Sequence, residues 1–168
     1  MALVSTSQIV LDQSATPITK TNALEKGGVI RTAMGSLAAA SYTGGTTGQW
    51  YTFVRIPSRA RVLSLRLTQA TTTTGAVKFG LYRPDGAVID DDAFSAVTAT
   101  TGHIRAEVAT ATVFTPALRA QSIRDGFAAA ITTAGATGDV EVDIAATVVT
   151  VIGTPTDALL EVDYVLPE

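Results

Sequence analysis

Residues 60–70 read ARVLSLRLTQA. In an extended chain Leu63, Leu65 and Leu67 fall on one side and Ser64, Arg66 and Thr68 on the other, because successive strand side chains point to opposite faces. One dry face and one wet face is the signature of a half-buried antiparallel strand. The same period recurs in GAVKFGLYRP (75–84), with Val77, Phe79 and Leu81 inward, and in HIRAEVATATVF (103–114), with Ile104, Ala106 and Val108 inward. GDVEVDIAATVV (138–149) sets Val140, Val142 and Ile144 against Glu141 and Asp143, and ALLEVDYVLPE (158–168) aligns Leu160, Val162, Tyr164 and Leu166. Shorter candidates are KGGVIRTAM (26–34), GQWYTFVRIP (48–57) and GFAAAITTAG (126–135). About eight strands, separated by TGGTTG, TTTTG, RPDG, TAGATG and GTPTD, predict a jelly-roll-like antiparallel β-sandwich over residues 28–168.

Composition agrees. A chain of 168 residues suits one core. Charged residues are 16% of it, against roughly 25% in ordinary soluble domains. Twenty-seven threonines and 27 alanines fill the deficit, and threonine favours a pleated surface over a helix. A large, weakly charged surface suits packing against neighbouring subunits. Cysteine is absent, which excludes disulfides, thiolate metal sites and cysteine nucleophiles. The stretch MALVSTSQIVLDQSATPITK lacks the charged and apolar regions of a secretory signal, and no apolar run is long enough to span a bilayer, so a cytoplasmic site of synthesis and no membrane partner are expected.

Two segments break the alternation. TPALRAQSIRDG (115–126) offers Thr115 as N-cap, Pro116 at the first helical position and Gly126 past the end, predicting one short helix over about 116–124. Residues 1–27, rich in Thr, Ser, Gln and Asn, predict an extended N-terminal arm that becomes ordered when laid across a neighbour, with Ile9, Val10 and Leu11 as its one sticky point.

The chemistry-bearing residues are few. Asp90, Asp91 and Asp92 are contiguous, without the spacing, following glycine or near glutamate of a calcium loop. A carboxylate pair for acid/base work would need two distinct environments in a shared cleft, and nothing nearby supplies a nucleophile, a basic clamp or a lid. Ala93, Phe94, Ala96 and Val97 follow the trio at helical spacing, so the expected role is an N-terminal cap of a helical turn. His103 is the only histidine, and no G-x-S-x-G elbow accompanies it. Neither a P-loop nor a dinucleotide fingerprint occurs. No enzymatic activity, metal or cofactor is expected.

Charge is lopsided. Residues 1–83 carry nine Lys/Arg against Asp12 and Glu25, a balance of +7, and residues 84–168 carry three arginines against thirteen acids, a balance of −10. Either the halves compensate each other inside the sandwich, or they form complementary faces between subunits. RIPSRARVLSLRL (55–67), with Arg55, Arg59, Arg61 and Arg66, is the strongest basic feature. Aromatic residues that would stack bases are sparse around it, which disfavours nucleic acid.

In order, an arm, KGGVIRTAMGSLAAA, FVRIPSRARVLSLRL, VKFGLYRPDGAVIDDDAF, VDIAATVVT and a closing LLEVDYV resemble a group of small tailed-bacteriophage and prophage proteins encoded near the capsid genes and described as virion structural or capsid-associated. The resemblance spans about residues 25–166 and lapses over 98–115. It carries no catalytic motif. It implies a capsid decoration or cement protein on the outside of the head, with the major capsid protein as partner and a homo-oligomer, a trimer favoured, as the form that binds. On that reading Ile9, Val10 and Leu11 of the arm and Arg55, Arg59 and Arg61 of the basic stretch are the assembly contacts. An alternative from another class is a head-fibre or receptor-binding module that holds glycans, for which Trp50, Tyr51 and Tyr82 are the candidate aromatics.

Overall fold

The alternating segments become strands, and their pairing explains why they alternate. The computed structural model describes residues 29–41, 46–70, 74–100 and 102–166; Ile9, Val10 and Leu11 lie outside them. The strands are β1 (Ile30–Leu37), β2 (Trp50–Pro57), β3 (Arg61–Gln69), β4 (Ala76–Tyr82), β5 (Val88–Ala99), β6 (His103–Glu107), β7 (Glu141–Thr150) and β8 (Ala158–Val165). They form two four-stranded antiparallel sheets, ordered β1-β8-β3-β6 and β2-β7-β4-β5. Apart from the β4–β5 hairpin, successive strands alternate between the sheets, which is the winding of a jelly roll. Ile56, Leu65, Leu67, Phe79, Leu81, Val142, Ile144, Leu160 and Val162, each at most 2% exposed, fill the space between the layers.

Bulges decide where the alternation holds. Opposite the single step from Tyr164 to Asp163 on β8, β3 runs from Val62 to Ser64, so Leu63 is an extra residue and lies half-buried, out of line with Leu65 and Leu67. On β6 two residues, Ile104 and Arg105, face the single step at Thr68, and the expected inward Ile104 is instead 82% exposed. Arg105 takes up the geometry with a left-handed φ of 48°, held by its N–H donating to Thr68 Oγ1 at 3.1 Å.

The largest departure lies on β5. Its residues 88–99 are a strand, and the expected helical turn behind the aspartates does not form. Between Phe79↔Ser95 and Leu81↔Asp90, β4 advances two residues while β5 advances five. The extra residues make a wide bulge that buries Ala93, Phe94 and Ser95 consecutively, which imitates a helical spacing in the sequence. The bulged backbone passes directly over Gly80, where a Cβ would collide with the Asp90 carbonyl and the Asp91 backbone.

The segment between β6 and β7 holds three short helices where one was expected: α1 (Pro116–Arg119), α2 (Ile123–Gly126) and α3 (Ala128–Thr133). Thr115 caps α1 as anticipated, accepting from the Leu118 N–H, but Ser122 caps a second helix and Gly126 lies inside it. GFAAAITTAG is therefore helical. It lacks polar alternation, and its two large apolar residues, Phe127 and Ile131, stand four apart and are both buried, as one helix face requires. Phe127 and Phe114 pack edge-on against Phe94, with ring centroids 6.3 and 4.9 Å from it. Arg119 ties this segment to the sandwich: Nη1 donates to the Leu63 carbonyl at 2.8 Å and the guanidinium lies 5.1 Å from the centre of the Phe114 ring.

Gly80→Ala is expected to lower the stability to urea by about 3 kcal/mol, because backbone rather than a flexible side chain must move. Gly48→Ala, with φ +89° but open space around it, should cost only about 1 kcal/mol. Equal midpoint shifts in the two variants would contradict the bulge packing.

Candidate functional site

Three adjacent acids on a regular strand would point to alternating faces. The β5 bulge instead gathers the carboxylates of Asp90, Asp91 and Asp92 within 4.8 Å of one another. A cation already stands among them: Lys78 Nζ on β4 lies 2.5 Å from Asp91 Oδ2, and this hydrogen bond raises the lysine's pKa. Asp90 accepts from the Asp92 N–H at 3.3 Å. Its pKa is raised, first by burial and then by the Asp92 carboxylate beside it. The trio is thus part of a cross-strand ion pair and not a helix cap. His103 opens β6, and its imidazole hydrogen-bonds to the Ala99 carbonyl across the turn.

The basic stretch divides into paired and free arginines. Arg55 binds Asp143 of β7 with both arms of its guanidinium, Nε to Oδ1 at 2.6 Å and Nη2 to Oδ2 at 3.1 Å. Arg66 pairs with Asp163 and lies 3.8 Å from Glu161, while Arg105 Nη2 reaches the same Glu161 oxygen at 2.9 Å. Asp163 also accepts from Thr32 Oγ1 at 2.7 Å and Ser64 Oγ at 3.0 Å. This row of β1, β8 and β3 side chains forms a continuous polar network on one sheet. The sequence showed only its alternating Ser64 and Arg66. Arg55 and Arg66 of the first half are thus paired within the chain with acids of the second.

Arg59 and Arg61 behave differently. Arg59 is exposed in the β2–β3 turn, and neither arginine forms an ion pair with a described residue. The Nε of Arg61 is buried without a hydrogen-bond partner among the described residues. Val165 of β8 pairs with both Arg61 of β3 and Ile30 of β1, so Arg31, which the sequence reading did not include, stands at the same end of the sheet. Exposed Arg31 enters no ion pair with a described residue either. The structure thus removes Arg55 from the set of free cations and adds Arg31.

The three candidate aromatics separate as well. Tyr82 is 1% exposed, its hydroxyl bonded to Thr147 Oγ1, and burial raises its pKa. Trp50 is 39% exposed and stacks on the Tyr82 ring, centroids 4.9 Å apart and planes at 20°. Tyr51 turns away, half-buried, toward Phe53 and Phe79 at one end of the core.

No family model matches the chain, and no curated protein matches it. Among solved structures it is similar to a chain described as "Cyanophage Pam1 capsid asymmetric unit", with 18% identity, 84% of this chain and 87% of that chain covered, and a TM-score of 0.42. A likeness of that degree assigns neither function nor partner.

The two displaced carboxylates give acid behaviour of opposite sign. The Asp163 pKa is lowered by Thr32 first, then by Ser64 and Arg66. Its stabilisation is present above the unfolded carboxylate value of about 3.9 and is lost as pH falls through the lower folded value. The raised pKa of Asp90 means its ionisation opposes folding, so acidification through that folded value favours the native state. Asp163→Asn should lower Tm at pH 7 by roughly 4 °C and flatten the loss of stability below about pH 4. Asp90→Asn should leave Tm at pH 7 unchanged or higher, and a fall there would refute the assignment.

Proposed function

We propose that this chain is a non-enzymatic phage virion structural protein, a capsid decoration or cement protein that binds the outside of the head. One observation carries the reading: large apolar side chains lie exposed on the sheet edges. Ile30 and Met34 on β1, Val97 on β5 and Ile104 on β6 are each 59–82% exposed, and these are three of the four edge strands. An open edge offers unpaired N–H and C=O groups, and free monomers commonly protect it with charge, proline or a covering loop. Apolar edges suit a sandwich that meets neighbours on both flanks, with the sheets themselves supplying rigidity.

In this reading residues 1–27 form the arm, and residues 28–168 the body. The arm adds a strand to a neighbour's edge through Ile9, Val10 and Leu11, while Arg59 and Arg61 meet acidic groups of the major capsid protein. A homotrimer would match local threefold positions on an icosahedral shell. A clip that binds only the expanded lattice stabilises that state by mass action.

Cosedimentation with heads of the same phage tests this. Saturable binding to expanded heads, with little to unexpanded ones, is the expected outcome, and deletion of residues 1–27 should reduce it at least about tenfold, the loss of roughly 1.4 kcal/mol. Arg59→Glu combined with Arg61→Glu should weaken binding and reduce its salt dependence. Heads that sediment without the protein at every concentration would remove the decoration reading.

A further inference from the structure

On the outer side of the β2-β7-β4-β5 sheet lies an open groove of about 260 Å³, lined among others by Thr47, Trp50, Lys78, Tyr82, Val88 and Asp91. Its floor is prepared rather than adaptable. Trp50 is fixed from behind by the Tyr82 ring, and Tyr82 is in turn held by the bond between its hydroxyl and Thr147. The RPDG turn passes beside the indole at Gly86, where φ is +89° and a Cβ would come within 3.0 Å of Trp50 Cζ2. Only a glycine supplies that backbone conformation and that clearance together.

A stacked aromatic plate that is still 39% exposed takes a flat, partly apolar ligand face. The groove's rim specifies the rest. Lys78 and Asp91 are paired at 2.5 Å, so these two rim groups offer donors and acceptors while their charges cancel. The indole N–H is not bonded to any described residue, and the Thr47 hydroxyl lies at the edge, bonded only weakly to the Val149 carbonyl at 3.4 Å. A nucleotide would need a free cation for its phosphates, and Lys78 is already engaged. An anionic ligand would meet the uncompensated Asp90 and Asp92 next to the ion pair.

We infer that this groove is a saccharide-binding site for a neutral hexose or N-acetylhexosamine unit, its C–H face on Trp50 and its hydroxyls on the Lys78–Asp91 rim. Neutral sugars combine one apolar face with a ring of hydroxyls, the pattern that an aromatic plate with a balanced polar rim complements. The inference does not rest on the decoration role. A protein could have either property without the other.

Trp50 is the only tryptophan of the chain, so its emission reports the site directly. The test is an array of neutral and acidic glycans, followed by titration of the purified full-length chain with maltose, cellobiose and N,N′-diacetylchitobiose. Titration should extend to about 20 mM, since single-site contacts of this kind fall near the millimolar range of about −4 kcal/mol. The expected result is saturable binding of a neutral glycan with a shift in tryptophan emission. Calorimetry should show at least about tenfold weaker binding in Trp50→Ala, the equivalent of one lost aromatic contact. Lys78→Met, which leaves the plate in place, should weaken binding by a smaller factor, and both variants are to be compared at matched Tm. The inference is overturned if no neutral glycan binds, if only acidic glycans or nucleotides do, or if a folded Trp50→Ala binds as tightly as the parent.

Discussion

Both sheets hang on strands from the end of the chain. β7 lies between β2 and β4, and β8 lies between β1 and β3, so residues 141–165 supply both of the inner partners for the first four strands. No pair among β1, β2 and β3 is bonded directly. The early strands therefore cannot form a sheet alone, and their polar outward residues are matched to groups that appear much later in sequence. Arg55 waits for Asp143 and Arg66 for Glu161 and Asp163. Exposed ion pairs of this kind contribute little each. Asp143 is only 3% exposed, and leaving it without Arg55 would cost more than the pair is worth.

This interleaving also sorts the surface. Arg55 and Arg66 are used internally, whereas Arg59 in the β2–β3 turn and Arg31 and Arg61 in the first residues of their strands form no ion pair with a described residue. Apolar residues follow the same logic. Those on inner strands are covered on both flanks, whereas Ile30, Met34, Val97 and Ile104 on β1, β5 and β6 are left at the rim. What the molecule offers to another surface is what its own winding did not consume.

The sandwich was legible wherever the two faces of a strand differ in polarity, as in β3, β4, β7 and β8. It was illegible at bulges, because one inserted residue moves every later side chain to the other face. Ile104 and Leu63 change face for that reason, and at the aspartates three extra residues imitate a turn of helix in the sequence. GFAAAITTAG gave no polar alternation to distinguish a strand from a helix. The site was harder still. Arg55 and Asp143 are 88 residues apart, and Arg66 and Asp163 are 97 apart, so nothing local marks them as partners or marks Arg59 and Arg61 as unpaired.

The turn that carries Arg59 is held from beneath. Ser58 and Ala60 on either side of it are fully buried. The Ser58 N–H donates to the Val140 carbonyl at 2.7 Å, the Val140 N–H donates to Ser58 Oγ at 3.1 Å, and the Ser58 and Ala60 carbonyls accept from Arg124 and Ile123 at 2.7 and 2.9 Å. The helical segment between β6 and β7 thus acts as a clamp on a two-residue knuckle. A carboxylate that meets Arg59 finds a backbone already fixed, and only the arginine's own rotamers, about 0.5–1.5 kcal/mol, remain to be ordered. The cost of presenting that charge was met when the chain folded, and it does not recur with each contact made.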